Sequence, residues 1–233
     1  MNNILKLLFC FALLNSCQND IKKIDHTNSE TKELIKDSTK REVADLPIAI
    51  DSIDYLIHPI GYITEYGTRF SSYSRSNDNV SYNVSSHNSH SLRGEFTNIK
   101  FQHVNSLKLA PLFKRVVEIN SVSFIDNVRK NRNFEYMIYK VRDADTNGDS
   151  KIDHNDVNAL YISKIDGSNL KKLTKDLAQI VNWKIITKLN RLYVKSISDT
   201  NKNGKFDKED NINYGYVDLK NPQLKVITYD PTN

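Results

Sequence analysis

The chain has 233 residues, with 33 lysines and arginines against 28 acids, a formal charge of +5 and a mean hydropathy of −0.55. A sequence pI near 9.0 invites nucleic acid as a partner, but the basic residues are scattered among acids, with no basic helix or aromatic stacking motif beside them. Only two cysteines are present, Cys10 and Cys17, so a disulfide framework and a disulfide-linked partner are both excluded once the N-terminal segment is accounted for.

Residues 1–16 read as an export signal: Lys6 is the one charge, and the apolar run Leu7 to Leu14 is too short for a permanent membrane span. Cys10 lies inside that run and would be discarded with it. The segment ends Leu14-Asn15-Ser16-Cys17, which resembles the lipobox of bacterial lipoproteins. The resemblance implies that Cys17 is acylated with palmitate-type chains and becomes the mature N-terminus. Asn15 departs from the usual small residue, and the competing reading is an ordinary cleaved signal with an incidental cysteine. Residues 17–48 hold few large apolar side chains, too few to offset the entropy of ordering, and read as a disordered tether with a typical reach of roughly 30 Å.

About 185 residues remain from 49 to 233, which suits one domain. A first buried strand is expected within 51–65, interrupted near Pro59. Residues 67–95 are crowded with Ser, Asn, Tyr and Arg, and weak alternation at 68–73 and 80–84 permits a polar hairpin. His87 and His90 within it form a metal-ligand pair only if an acid or cysteine joins them, and a solvated loop is the plainer reading. Strand-like runs follow at 98–104, 116–125 and 134–142, rich in Val, Ile, Phe and Tyr. No helical periodicity competes, so the expected class is all-β with antiparallel strands.

Two twelve-residue stretches punctuate the second half. Asp145 to Asp156 reads Asp-Thr-Asn-Gly-Asp-Ser-Lys-Ile-Asp-His-Asn-Asp, and Asp199 to Asp210 reads Asp-Thr-Asn-Lys-Asn-Gly-Lys-Phe-Asp-Lys-Glu-Asp. Each places oxygen-bearing side chains at positions 1, 3, 5, 9 and 12 and a hydrophobic residue at position 8, the spacing of an EF-hand-type calcium loop. A hard cation wants six to eight oxygens, and a tightly turned loop gathers them. The expected ligands are Asp145, Asn147, Asp149, Asp153 and Asp156 with the Lys151 carbonyl. In the second loop they are Asp199, Asn201, Asn203, Asp207 and Asp210 with the Lys205 carbonyl. One or two Ca2+ ions are implied, with Ile152 and Phe206 packing inward. Position 12 is Asp in both, as in dockerin-like loops. Position 6, where a sharp turn favours glycine, is Ser150 in the first loop and Gly204 in the second. The flanking segments read as strands, so the loops cap hairpins and the calcium is expected to be structural. An acidic hairpin turn without metal is the alternative.

The loops start fifty-four residues apart, and the similarity runs on into their flanks, so units at about 115–174 and 178–229 repeat strand, strand, loop, strand, turn, strand. Residues 159–174, with Asp166-Gly167 before Leu173-Thr174, resemble the blade repeat of bacterial β-propellers such as the TolB family. The overall plan is similar to uncharacterised calcium-loop lipoproteins of the Bacteroidota. These resemblances imply a partial or open β-propeller, since about three units are fewer than a closed ring needs, or else a curved sheet folded on itself. They also imply a lipid-anchored module of the bacterial envelope, at the outer membrane, with its periplasmic or surface orientation undecided. An envelope protein or a glycan would be its partner. No catalytic motif is present, and His58 and His103 read as half-buried strand residues. A hydrolase would need them to meet an acid in one pocket. A calcium-dependent adhesin would need an open ligation site.

Overall fold

The computed structural model describes residues 22–27, 33–35, 40–49, 53–65, 80–88, 91–125 and 136–232. The export signal, Cys17, His90 and the stretch 68–73 of the expected polar hairpin lie outside them. The described residues are all-β, with sixteen strands, all antiparallel where paired, and one 3-10 turn at Thr187–Leu189.

Seven strands form the path of the larger sheet. In spatial order they are β1 (Glu42–Ala44), β3 (Tyr55–Tyr62), β7 (Ser91–His103), β9 (Glu118–Phe124), β10 (Tyr136–Arg142), β11 (Asn158–Lys164) and β12 (Lys171–Lys172). Three short strands attach to it: β2 (Ile48–Ala49) on β3, and β6 (Ser85–His87) and β8 (Ala110–Pro111) on β7. β4 (Thr64–Glu65) and β5 (Val80–Ser81) make a separate two-stranded ladder, so Val80 and Ser81 pair with residues 64–65. The second sheet is a four-stranded meander, β13 (Ala178–Ile186), β14 (Arg191–Ser198), β15 (Asn211–Asp218) and β16 (Val226–Thr228).

The thirteen-residue β7 changes neighbours along its length. Its first half pairs with β6 and β9 and its second half with β3 and β8, with register shifts between Arg93 and Phe96 and between Ile60 and Gly61. Bulges of this kind bend a strand and increase its twist. A Cβ on Gly61 would stand 2.7 Å from the Glu95 carbonyl, so glycine is what lets the strands approach. The bend carries Phe101 of β7 against Gly167 in the turn after β11, where a Cβ would lie 2.5 Å from the ring. The larger sheet is therefore folded over on itself, and no closed ring of blades is present among the described residues.

Two cores result. Ile57, Ile99 and Phe101 pack with Ile119, Val122, Met137, Tyr139, Val141 and Tyr161 inside the fold of the larger sheet. Ile138, Leu160 and Ile162, on the opposite face of β10 and β11, pack against Ile180, Leu192, Val194 and Val217 of the meander. β10 and β11 thus serve both cores, which is why they read as nearly continuous apolar runs, whereas β14 alternates cleanly and has one outward face.

The tether expected over 17–48 does not hold throughout. Val43 and Ala44 pair with Gly61 and Ile60, Ile48 pairs with Ile57, and residues 22–27 lie against the domain. The ordered body begins well before residue 49.

Candidate metal-binding loops and their strap

β10 and β11 are joined by the first twelve-residue loop, β14 and β15 by the second. Each loop occupies the same hairpin of its sheet, β9–β12 in one case and β13–β16 in the other. An Asp or Asn side chain that accepts the N–H two residues on makes a compact turn, and both loops are built from such turns. Asn147 accepts the Asp149 N–H, Asp149 the Lys151 N–H and Asp153 the Asn155 N–H. In the second loop Asn201 accepts the Asn203 N–H, Asn203 the Lys205 N–H and Asp207 the Glu209 N–H.

The first and twelfth positions close the loop. Asp145 accepts the N–H groups of Gly148, Asp149 and Ser150, and Asp199 those of Asn203 and Gly204. Asp156 takes the Thr146 N–H at 2.7 Å on one oxygen and the Asp153 N–H at 2.8 Å on the other; Asp210 repeats this with Thr200 at 2.8 Å and Asp207 at 3.0 Å. An ionised carboxylate has about four acceptor positions; Asp156 Oδ1 also meets the Thr146 hydroxyl at 3.1 Å and the Asn147 N–H at 3.4 Å, so its open lone pair lies on Oδ2.

Fourth and sixth positions in both loops adopt the left-handed region. Gly148 and Ser150 have φ of 78° and 66°, and Lys202 and Gly204 have 59° and 83°. Each loop supplies glycine at only one of the two, and the strain expected at Ser150 is present as a positive φ. Ile152 and Phe206, expected to pack inward, are half-buried.

The charge of these loops is poorly compensated from within. Asp156 is fully buried and Asp199 and Asp210 nearly so. The basic neighbours of these carboxylates include His154, 3.8 Å from Asp153, His26, 2.7 Å from Asp199, and Lys23, whose ammonium bonds the His154 carbonyl and lies in the field of Asp153 and Asp156. Burial pushes the Asp156 carboxyl above its ordinary pKa, an effect that the N–H groups of Asp153 and Thr146 only partly offset. No group of three or more His, Cys, Asp and Glu side chains stands as a metal-holding cluster among the described residues. The donor set of each loop is a mixture of carboxylates, asparagine amides and a backbone carbonyl at position 7. That oxygen-only chemistry suits Ca2+ rather than a transition metal.

Sequence reasoning missed what touches the loops. The main chain of Lys23 and Ile24 donates to the Gly204 carbonyl at 2.7 and 3.3 Å, and the Asp25 N–H donates to the Thr146 carbonyl at 2.8 Å. The Thr146 hydroxyl donates to the Lys23 carbonyl at 2.7 Å, and the Lys23 ammonium to the His154 carbonyl. His26 Nε2 donates to Asp199 Oδ2. Ile24 is 1% exposed, a burial that stabilises by roughly 1.5–3 kcal/mol over leaving the side chain in water. One isoleucine in the polar run Lys22–Thr27 was the only hint available.

Just before the first loop stands Asp143, which the second loop lacks: Ile197 holds the matching place. Asp143 accepts from Tyr161 at 2.6 Å, Lys172 at 2.9 Å and Arg115 at 3.1 Å. Burial pushes its carboxyl up, and the bonds from Tyr161, Lys172 and Arg115 outweigh that, so its pKa lies below the ordinary value.

The remaining candidates do not converge. His58 bonds Gln102 at 2.9 Å, while His103 accepts the Asn105 N–H and meets Tyr55 edge-on at 5.1 Å. Both sit on paired strands, and among the described residues neither is bonded to an acid. No protein-family model matches the chain, nor does any curated protein or solved structure.

Proposed function

We propose that this chain is a lipid-anchored, calcium-binding module of the bacterial cell envelope, in which calcium is structural and the β body serves as a binding or scaffold unit. The observation that carries the reading is the twinned loop. Two hairpins 54 residues apart repeat the same hydrogen-bond pattern, backbone N–H groups closing on buried carboxylates at the first and twelfth positions. Gathering several carboxylates in a half-buried loop is costly, and a bound cation offsets that cost. Asp145, Asn147, Asp149, Asp153 and Asp156 with the Lys151 carbonyl would hold one ion. Asp199, Asn201, Asn203, Asp207 and Asp210 with the Lys205 carbonyl would hold the other. When bound, the ion supplies positive charge that ties strand ends together. The loops join strands, not the movable helices of a sensor, which favours a staple over a switch.

The four-stranded units β9–β12 and β13–β16 support a blade-like repeat in the manner of a partial propeller. The Leu14-Asn15-Ser16-Cys17 stretch supports acylation at Cys17 and residence at the outer membrane.

A second reading, a glycan-binding adhesin, draws on the outward face of the meander. Tyr193, Tyr216 and Tyr229 cluster with centroids 5.7–6.0 Å apart, and Arg191 lies 4.2 Å above Tyr216. Half-buried rings flanked by the exposed Tyr229 and a guanidinium are suited to stacking on sugars and pairing with acidic groups.

Thermal unfolding of the unlipidated mature chain, chelated and then titrated with calcium or magnesium, tests the first reading. A calcium-specific rise in Tm saturating between high micromolar and millimolar concentration is expected, and the absence of any shift would remove the metal from the account. If glycan binding by the same chain survives chelation but is lost on Tyr216→Ala, the second reading gains.

A further inference from the structure

We infer that residues 22–27 are a strap that completes both loops, with His26 a positioning residue for Asp199, and that metal occupancy and strap docking stabilise one another. The inference rests on the calcium reading above.

The strap touches the first loop at its second position, through Thr146, and at His154. It touches the second loop at its sixth position, through Gly204, and at its first, through Asp199. These are points of the loop frame. His26 and the Gly204 N–H both bond Asp199 Oδ2, which fixes the carboxylate and leaves Oδ1 bound to the Asn203 N–H alone. A group that orients a ligand without touching the metal is a familiar means of tuning a site. Gly204 is fitted to the strap as well as to its own turn: a Cβ there would lie 2.6 Å from the Ile24 carbonyl and 3.0 Å from the Lys22 side chain. Farther along, the Ile35 N–H donates to the Ser150 carbonyl at 2.9 Å, so a second piece of the N-terminal region rests on the sixth position of the first loop.

Without a cation, the clustered carboxylates repel one another and the loops loosen. The Gly204 and Thr146 carbonyls then no longer stand where the strap needs them. With a cation, both loops are held and the docking surface is formed. Coupling between two binding events is reciprocal, so whatever calcium adds to strap docking, the docked strap adds to calcium affinity.

A consequence follows for the anchored protein. Five Cα–Cα steps take the chain from Cys17 to Lys22 and span at most about 18 Å, whereas the 25 steps from Cys17 to Glu42 in β1 span up to about 90 Å. A docked strap holds the loop end of the body close to the lipid, and a released one lets it move away.

Trypsin reads docking directly, because the bonds after Lys22 and Lys23 lie in the strap. The test uses the mature chain from residue 17 with Cys17→Ser, calcium stoichiometry and affinity from titration calorimetry, and mass spectrometry of the cleaved N-termini. In saturating calcium, cleavage after Lys22 and Lys23 is expected to slow at least tenfold relative to chelator, while cleavage at exposed Lys108 is unchanged. Ile24→Asp should restore cleavage in calcium and weaken calcium affinity about tenfold, Ile24→Val should keep both, and His26→Ala should weaken only one of two sites. If calcium binds and the strap is cut equally fast with and without it, the coupling is wrong and the metal reading stands. If no calcium binds, the metal reading fails and the strap proposal falls with it.

Discussion

In the first loop the flanking strands β10 and β11 are buried on both faces, Asp156 is fully enclosed, and Asp143 braces the entry with Tyr161, Lys172 and Arg115. In the second loop the flanking strands β14 and β15 have one outward face, and no such brace precedes Asp199, which is steadied instead by His26 from the strap. The first carries four aspartates among its proposed ligands and the second three, with asparagine at positions 3 and 5. One twelve-residue plan is thus held by the core as well as the strap in one copy and leans chiefly on the strap in the other. The plan specifies local turns; the setting decides what the loop costs to disturb.

The sharpest way to test this difference is to remove the twelfth residue from each loop. Asp156→Ala strands the N–H groups of Thr146 and Asp153 and loosens that of Asn147, so a loss of about 3–5 kcal/mol is expected. Asp210→Ala, in a more exposed setting, should cost about 1–3 kcal/mol. Urea midpoints with calcium chelated compare the two directly. Equal losses would mean that the core does nothing special for the first loop.

The Asp143 brace gives the next largest effect and a pH signature. Its folded pKa is depressed, so its contribution is complete above the ordinary carboxylate pKa, near 4, and is lost as pH falls through the lower folded value. Asp143→Asn should cost about 2–3 kcal/mol at pH 6, chiefly from broken charge-assisted bonds. Between pH 5 and 2.5 the wild type should lose stability toward the variant, and the gap should close. A constant gap across that range would show that the charge on Asp143 is not what matters. A change at Ile197, its counterpart, should shift stability without any pH dependence.

Much of this was legible in the sequence, and the omissions have a common cause. The loops announced themselves because ligand spacing is local, and strands β9, β10, β11, β14 and β15 because alternation or apolar runs are local too. β7 was read only from residue 98, since Ser91-Leu92-Arg93-Gly94-Glu95 hides its two inward residues, Leu92 and Phe96, around a bulge. The fold of the larger sheet over itself depends on glycines meeting partners far along the chain, as Gly167 meets Phe101. Ile24 sits in a run that composition marks as solvated, and it is buried because the main chain around it bonds the Gly204 and Thr146 carbonyls far along the chain. Composition measures what a segment can bury by itself and is blind to a surface already waiting for it.

Glycine placement offers a finer test of the same comparison. At Gly204, with φ of 83° and the Ile24 carbonyl close by, alanine meets both backbone strain and the strap, and a cost of about 1–2 kcal/mol is expected from the left-handed conformation alone. Deleting residues 17–27 should leave only that strain, so the Gly204→Ala penalty ought to shrink in the truncated chain. An unchanged penalty would show that the strap does not press on this loop.

Ser150 is the mirror case and carries the smallest effect. It occupies φ of 66° at the same sixth position, where the second loop has glycine. Ser150→Gly removes the penalty that a side chain carries there, about 1 kcal/mol, and gives back a few tenths through the freer unfolded chain, for a net gain of about 0.5 kcal/mol. Its N–H to Asp145 and its carbonyl to Ile35 belong to the backbone and survive the change. A rise in urea midpoint of that size, larger with calcium chelated than with calcium present, is expected if bound metal already holds the turn. A loss of stability would mean that the hydroxyl has a role at position 6 that backbone conformation does not explain.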